Sequence, residues 1–540
     1  MINTTHGVQT GLTKASPTPP AGLEPFSGEW NSKTASHLLR RLTFGASYRE
    51  VQQAIKDGLD KTIDKLFRPI RNVPEPINYY FKNDPKVPVG ETWVGKAYTP
   101  GVSGLSNARR NSLFAWIVGR MLEERYNIMP KLLLFWHNHL VIDGGSYAEL
   151  SYNYILLLRK HALGNFRQLM KDITIEPAML RYLNGNTSTA RAPNENYARE
   201  LMELFTLGKG PLTGPGDYTT YTEHDIKEIA KALTGWYYNS KLFIGLYKSG
   251  RHDKTTKKLS HRFNGITIKD QGSGEYKAVI DIIFRREEVA PFIVRKLYVW
   301  YLNSEITPEI EANVIQPLAT IFRDSDYEVE PVLRALFSSQ HFFNECAFGS
   351  MLKSPMDHFM HVFQTLKLSA PKSLTERYRF WRSIWTYQNT SGQAWFNQPS
   401  VAGWPAYYQE PVFYKYWISP VALSIRKKIV GYFINSRVKV AKKYYGLQLV
   451  EVVDEFKDPF DPNEVIRELC KLLFSQAPSD KQIEYLKQNA LIPGLPDFEW
   501  TEEYGDYADN PQDEAKKNAV LKRLRKLMEL MLNMPEFYIQ

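Results

Sequence analysis

The sequence predicts a mainly α fold: a large multi-helical domain with one short β-hairpin and long irregular excursions. Apolar residues recur at spacings of three and four through most of the chain, which is the period of an amphipathic helix. Strand-like runs bounded by turn residues are concentrated in 236–268, where we expect the hairpin. The chain has 540 residues, of which 43% are hydrophobic and 23% charged, so it can bury a sizeable core.

Three parts of the chain differ in composition. Residues 1–32 are rich in Thr, Ser, Pro and Gly, and we interpret them as a flexible N-terminal arm. Residues 33–345 contain the polar motifs and form an N-terminal helical lobe. Residues 346–540 form a C-terminal helical lobe, and we expect the two lobes to be one continuous domain.

The N-terminal lobe alternates helical patterns with loops. A Pro-, Gly- and Asn-rich excursion over 69–104 should pack irregularly over the helices. Thr222 and Asp225 have the spacing of a capping box, so a helix should begin there. The segments with helical periodicity are 35–42, 48–55, 111–125, 130–141, 147–161, 165–173 and 177–183.

The stretch 193–208 predicts one central, largely buried helix. Pro193 suits a first helical turn, and Gly208 tolerates the positive φ that ends many helices. Asn196, Glu200 and Glu203 then fall on one face. This face is either a solvated stripe or the wall of a polar site.

The carboxylate pair Glu200 and Glu203 is a candidate for general acid–base chemistry or for binding a cation. Asn194, Asn196 and Arg199 lie beside it as polar support. Most carboxylate pairs on helices are surface pairs, but the long polar loop before this helix favours a site.

His137 and His139 lie in the motif FWHNHL. Residues two apart point in nearly opposite directions on a regular helix, so both reach one centre only if the helix ends there. The sequence Asp143-Gly144-Gly145 supplies a stop signal. Imidazole pairs commonly bind metals, and His137 is also a catalytic candidate. The alternative is one buried, hydrogen-bonded histidine and one exposed histidine.

His252 and Asp253 form a further candidate metal-ligating pair in a polar stretch. A loop histidine is usually only exposed, so this signal is weak alone. The segment 392–408, GQAWFNQPSVAGWPAYY, could present Trp395 and Trp404 to sugars, but its prolines and glycines favour an inward-packed wrap.

Several classes are disfavoured. The net charge of +10 permits an anionic partner, but no nucleic-acid motif or dense basic tract accompanies it, so we expect no nucleic acid. No apolar run approaches 18 residues, so we expect no transmembrane segment. Two cysteines, Cys346 and Cys470, exclude a disulfide framework, and whether they pair is open.

The chain resembles the bacterial family called domain of unknown function 1800. The resemblance covers roughly residues 33–540 and rests on ASHLLRRLTFGAS, FWHNHL, EPAMLRYLNGNTSTARAPNENYARELMELFTLGKG, YTEHDIKEIAKALTGW, the His252-Asp253 pair and GQAWFNQPSVAGWP. It implies a mostly helical protein, often exported, and frequently encoded beside a sulfatase-like protein. As numbered, the N-terminus has no signal peptide, so the compartment is open: either the mature form is numbered or this member is intracellular.

Two functions compete. The first is an enzyme, a hydrolase or metal-dependent protein acting on anionic or glycan material of the envelope or outside the cell. Its mixed oxygen and nitrogen ligands would suit Zn, Mn or Fe. The second is a non-catalytic binding or scaffold protein whose polar cluster is a structural hydrogen-bond network. The first requires Glu200 and Glu203 to lie within reach of His137 or His139.

Overall fold

The computed structural model describes residues 22–144 and 147–540, and its fold is mainly α, as predicted. Most helices in the first third of the chain match the predicted segments because their apolar periodicity is strong, but the helix at 59–66 was not predicted and the helix predicted from 111 begins at 105. These helices are α1 (Ser32–Leu42), α2 (Tyr48–Asp57), α3 (Leu59–Leu66), α4 (Leu105–Glu123), α5 (Met129–His139), α6 (Ala148–His161), α7 (Phe166–Thr174) and α8 (Pro177–Tyr182).

The middle of the chain contains helices and small hairpins around the polar motifs. The capping box of Thr222 and Asp225 begins α10, as predicted. The helices here are α9 (Glu195–Glu200), α10 (Glu223–Ala232), α11 (Glu275–Ile283), α12 (Val289–Tyr301), α13 (Pro308–Ile310), α14 (Gln316–Asp324) and α15 (Val329–Phe337). Two π-helical segments, Leu201–Thr206 and Glu311–Ile315, follow α9 and α13.

The remaining helices build the C-terminal part. They are α16 (Pro355–Thr365), α17 (Leu374–Thr390), α18 (Pro420–Ile434), α19 (Leu449–Val453), α20 (Pro462–Leu473), α21 (Asp480–Leu486), α22 (Phe498–Asp509), α23 (Glu514–Met531) and α24 (Pro535–Tyr538). A π-helical segment, Lys487–Leu491, extends α21. Within the described ranges, no helix has both the length and the apolar character needed to cross a membrane.

Short antiparallel hairpins account for the β structure of the described residues. The predicted hairpin region holds two of them, and the longer one pairs Trp236 with Tyr247 in register. The pairs are β1 (Leu212–Gly214) with β2 (Asp217–Tyr218), β3 (Trp236–Asn239) with β4 (Ile244–Tyr247), β5 (Lys257–Lys258) with β6 (Thr267–Ile268), and β7 (Val438–Val440) with β8 (Lys443–Tyr445).

One hydrophobic cluster runs from Ala35 to Phe537 and includes helices of both predicted lobes. Helix α4 packs along α17, and α1 packs against α20. The predicted arm lies in part outside the described residues, which begin at residue 22. Its described portion contacts the rest of the domain: the Phe26 ring packs at a tilt against the Phe343 ring, with centroids 4.3 Å apart.

Buried arginines of α1 connect distant parts of the chain. Arg40 donates a hydrogen bond to the carbonyl oxygen of Phe474 at 2.9 Å. Arg41 donates to the carbonyl oxygens of Ala347 and Gln540, both at 2.7 Å. Burial lowers the pKa of Arg41 to about 9 and that of Arg40 to about 10, which leaves both charged near neutral pH. Main-chain carbonyls therefore replace the water around these two cations.

Candidate functional site

The predicted central helix is α9 followed by a π-helical segment. Asn194 caps it by accepting a hydrogen bond from the backbone N–H of Asn196, so Pro193 precedes the cap and lies outside the helix. The π segment begins at Leu201, directly after Glu200. Gly208 follows with φ of +75°, as the stop signal predicts. The wider π turn changes the angular relation of Glu203 to Glu200, and such turns are frequent at functional sites.

Glu200 and Glu203 occupy different environments although they are neighbours. Glu203 accepts a hydrogen bond from the Tyr221 hydroxyl at 2.9 Å, and Lys209 Nζ lies 3.7 Å from the same carboxylate. Glu200 is half-buried, and its pKa is raised by burial first and by the negative charge of Glu203 second. Two carboxyl groups whose environments differ in this way can take different roles in acid–base chemistry.

The polar support residues point away from this pair. Arg199 forms a two-pronged ion pair with Glu223, both contacts being 2.8 Å, and so connects α9 to the start of α10. Its charge lowers the pKa of Glu200, although less than burial and Glu203 raise it. Asn196 is exposed, and its amide lies 3.5 Å from the carbonyl oxygen of Leu183.

An open groove of about 530 Å³ lies between residues of α4 and α17. Charges of both the groove and the carboxylate pair act on Tyr182: its pKa is raised by burial first, then by Asp143, a residue of the groove, and then by Glu200. Asp143 is in the groove wall and pairs with Arg181 at 3.1 Å. The groove is lined by Arg110, Asp143, Arg181, Arg382, Trp385 and Phe396, together with Asn107, Asn111, Phe114 and Gly144.

The groove combines aromatic rings with guanidinium groups. Phe114 and Trp385 are stacked with centroids 4.3 Å apart, and the Arg382 guanidinium lies 4.5 Å from the Trp385 ring centroid. The guanidinium groups of this surface can pair with an anionic substituent, whereas the rings of Phe114 and Trp385 are 8% and 9% exposed and cover each other. Trp395 and Trp404 are buried as well, which confirms that the indole of Trp404 packs inward.

His137 and His139 are both buried at the end of α5, so neither is the exposed histidine of the alternative interpretation. The Gln398 amide donates a hydrogen bond to His137 Nδ1. Burial lowers the pKa of His137 to about 3, so the ring is neutral. His139 Nε2 lies 3.0 Å from the carbonyl oxygen of Phe205. Burial, followed by the charge of Lys296, lowers the pKa of His139 well below its usual value.

The two histidines therefore face different parts of the protein. His139 contacts the backbone of the π segment at Phe205, and His137 contacts Gln398 in the C-terminal part of the chain. In the described ranges, one set of three or more ligating groups has its atoms within 4.8 Å of one another: His252, Asp270 and Glu275. The structure does not gather the histidine pair and the glutamate pair into such a set, so any enzymatic role of Glu200 and Glu203 has to be argued without His137 and His139.

His252 and Asp253 diverge although they are adjacent in the chain. The His252 imidazole is buried and faces Glu275, with Nε2 3.1 Å from Oε2. The Asp253 carboxylate instead accepts a hydrogen bond from the backbone N–H of Thr255 at 2.8 Å. Asp253 therefore lies outside the ligating set that contains His252.

Sequence reasoning missed Tyr182, Tyr221, Asp270 and Glu275. Tyr221 comes from the loop before α10, and Glu275 is the first residue of α11. Their positions relative to Glu203 and His252 depend on tertiary packing, which no local pattern reports. Glu275 carries one usable signal, an acid at a helix start, but that pattern normally indicates capping.

A family model described as protein of unknown function, DUF1800, matches residues 37–539, nearly the whole chain. Neither the curated proteins nor the solved structures contain a significant match.

Proposed function

Because the chain belongs to the DUF1800 family of proteins of unknown function, we propose its activity from its own residues: it is a hydrolase of anionic glycans. The observation that carries the proposal is the pairing of half-buried Glu200, whose pKa is raised, with Glu203, which is held by Tyr221. A separate groove, whose residue Asp143 acts on the pKa of Tyr182 together with Glu200, supplies a surface for a charged polymer.

The proposed chemistry divides the two carboxyl groups. Glu200 retains its proton to higher pH, so it donates this proton to the oxygen of the leaving sugar. Glu203 accepts a proton from the water that adds to the other fragment, and the bond between the sugar and the bridging oxygen breaks. General acid–base catalysis of this kind typically accelerates a reaction about 10²- to 10⁴-fold. Glycosidases commonly use two such carboxyl groups.

The proposed substrate class follows from the charge of the groove. Three arginines, Arg110, Arg181 and Arg382, line the groove, where a carboxylate or sulfate ester would pair with them. Envelope and extracellular polysaccharides carry such groups. The sulfatase-like partner implied by the family likeness would remove sulfate esters from the same material.

A second candidate is a non-catalytic scaffold. It is favoured by the histidine pair, because His137 and His139 contact an amide and a backbone carbonyl in the interior. Under this function, the Arg199–Glu223 ion pair would only hold α9 against α10.

The test is release of new reducing ends from sulfated or uronate-containing polysaccharides, with neutral polymers for comparison. We expect Glu200→Gln and Glu203→Gln each to lower the rate at least about a hundredfold at an unchanged melting temperature. Glu195→Gln, on the same helix, is the matched control and should behave as the unmodified protein. Activity should decline as pH rises, because Glu200 must be protonated.

Three results would favour the scaffold. The first is an unmodified protein that cleaves none of these polymers. The second is a Glu200→Gln variant of full activity. The third is a Glu200→Gln variant whose melting temperature falls together with its activity, because that pattern indicates structural damage.

A further inference from the structure

Three potential metal ligands converge behind the β3–β4 hairpin. His252 Nε2 lies 3.1 Å from Glu275 Oε2 and 3.6 Å from Asp270 Oδ1. Two of the groups are buried, His252 at 4% and Glu275 at 0% exposure, whereas the Asp270 side chain is 37% exposed. Ligands at about 2.1 Å from a tetrahedral zinc ion lie about 3.4 Å apart, and the two measured separations bracket this value.

The other ring nitrogen of His252 determines its protonation. Nδ1 lies 2.9 Å from the carbonyl oxygen of Thr234. A carbonyl oxygen only accepts hydrogen bonds, so Nδ1 carries the proton. In the neutral ring, Nε2 then directs a lone pair at two carboxylates, which are also acceptors. The backbone N–H groups of Gly272 and Gln271 donate to these carboxylates at 2.8 and 3.2 Å, but the three electronegative atoms still face one another, and a cation among them would stabilise this arrangement.

We propose that the cation is a divalent transition metal ion held by His252, Asp270 and Glu275. The contact of Nδ1 with the Thr234 carbonyl is the outer-shell hydrogen bond that metal-ligating histidines usually make. One imidazole nitrogen and two carboxylate oxygens suit Zn²⁺ or Mn²⁺.

A second outer contact orients Glu275. Lys257 is fully buried, and its Nζ lies 2.6 Å from Glu275 Oε1. Oε2, the atom facing His252, accepts a 3.2 Å hydrogen bond from the backbone N–H of Gln271 and keeps a lone pair to ligate the metal. Lys257 Nζ is also 3.8 Å from Asp253 Oδ1. This group contains three carboxylates, of Asp253, Asp270 and Glu275, and one ammonium group, of Lys257. Its net charge is therefore −2, which a divalent ion neutralises.

The site has an open side. Asp270 lies in the loop after β6 and is the exposed ligand. The Tyr247 ring centroid lies 5.6 Å from that of His252, and Trp236 packs against both Tyr247 and Tyr276. Three protein ligands and an accessible side are typical of zinc sites that keep a position for water or substrate, unlike closed structural sites.

This metal site is separate from the proposed hydrolytic carboxylates. Arg199 of α9 pairs with Glu223, the first residue of α10, whereas Thr234 lies just beyond the end of α10. A helix of this length spans about 15 Å. The proposal therefore does not rest on the hydrolase assignment, and either can fail alone.

The test uses full-length protein without a polyhistidine tag, treated with chelator and titrated with Zn²⁺ or Mn²⁺. We expect one ion per chain, at least a tenfold loss of affinity in Asp270→Asn and Glu275→Gln, and a rise in melting temperature with metal only where the site is intact. Asp253→Asn is the matched control, because it removes a neighbouring carboxylate that does not ligate, and it should retain one ion per chain. Cobalt(II) substitution should give visible absorption bands that Asp270→Asn abolishes.

Two results would overturn the proposal. The first is an unmodified protein that binds no ion. The second is an Asp270→Asn variant with unchanged metal affinity and unchanged cobalt bands. Since Asp270 is partly exposed, this variant remains informative if Glu275→Gln fails to fold. Neither result depends on cleavage of a polysaccharide.

Discussion

The amide of Gln398 donates hydrogen bonds to both Nδ1 and the carbonyl oxygen of His137, which lies 261 residues earlier in the chain. This relationship joins the end of α5 to the C-terminal segment that follows α17. It also gives the neutral His137 ring a donor at the nitrogen that lacks a proton. The contact is therefore structural, and it fixes the position of the FWHNHL motif.

Gln398→Ala should destabilise the protein by about 1–3 kcal/mol, because it leaves a buried imidazole nitrogen without its donor. Chemical denaturation would measure the change. Asn397→Ala is the matched control, since the Asn397 side chain is exposed and donates to the Asn389 side chain, so its loss should cost little stability. Equal losses in the two variants would contradict the importance of the His137 contact.

The protein should lose stability as the pH falls below about 6.5, the reference pKa of histidine. Burial lowers the pKa of His37, His137, His139, His358 and His361. Below pH 6.5 the unfolded chain binds protons at these rings and the native chain does not, so stability is lost as pH falls.

His358→Phe should therefore lose less stability than the unmodified protein on going from pH 7.5 to pH 4.5. The His358 ring packs against Phe537 and Tyr538, and neither of its nitrogens has a hydrogen-bond partner among the described residues. Melting temperatures at the two pH values measure the effect. The control is His261→Phe, whose side chain is 65% exposed. Parallel pH profiles for all three proteins would contradict the expectation.

Glu176 should destabilise the protein at alkaline pH. Burial raises its pKa to about 8, against 4.5 for a free side chain. The native state holds this proton over that range and the unfolded state does not, so stability falls as pH rises from about 4.5 to about 8. Glu176→Gln keeps an oxygen that can accept from the backbone N–H of Met179 and removes the titration.

Denaturation of Glu176→Gln at pH 5 and pH 9 tests this expectation. The variant should match the unmodified protein near pH 5 and exceed it at pH 9. A variant that is less stable at both values would show that Glu176 acts through its hydrogen bonds alone.

Gly403→Ala should cost more than about 3 kcal/mol. Gly403 has φ of +86°, and an added Cβ would clash with the carbonyl and side-chain oxygens of Asn138. Trp404 N–H donates to the same side chain at 2.9 Å, so the clash displaces this contact. Thermal and chemical unfolding measure the loss.

Gly392→Ala separates the strain of a positive φ from the steric clash with Asn138. Gly392 has φ of +92°, and no atom lies within 4 Å of its added Cβ. It should show only the backbone strain, about 1–3 kcal/mol. If the two alanine variants were equally stable, close packing of residue 403 on Asn138 would not contribute.

Local patterns explain why so much of the helical fold was predictable. α4 to α8 show strong periodicity, and the Thr222–Asp225 capping box specifies a helix start from four residues. The π segment Leu201–Thr206 was not predictable because an α-helix and a π-helix share the same apolar residues, and tertiary packing selects between them.

The candidate sites were less predictable because the residues that contact each site residue are distant in the sequence. Glu200 and Glu203 could be identified as a pair from their spacing. The contact of Tyr221 with Glu203 could not, because it depends on tertiary packing. His252 was identified, whereas Asp253 was named as its companion by proximity in sequence. The residues that face His252 are Asp270 and Glu275, which a loop and a helix start bring back to it.

The buried arginines of α1 have a consequence for biosynthesis. Arg40 and Arg41 emerge from the ribosome among the first residues of the domain, yet the carbonyls of Phe474 and Gln540 that bind them are made more than 430 residues later. At about 5–20 residues per second, this interval is on the order of 20–100 s. During it, α1 carries charges that the apolar core cannot accept, so its docking must wait for late synthesis and the nascent chain is exposed to chaperones meanwhile.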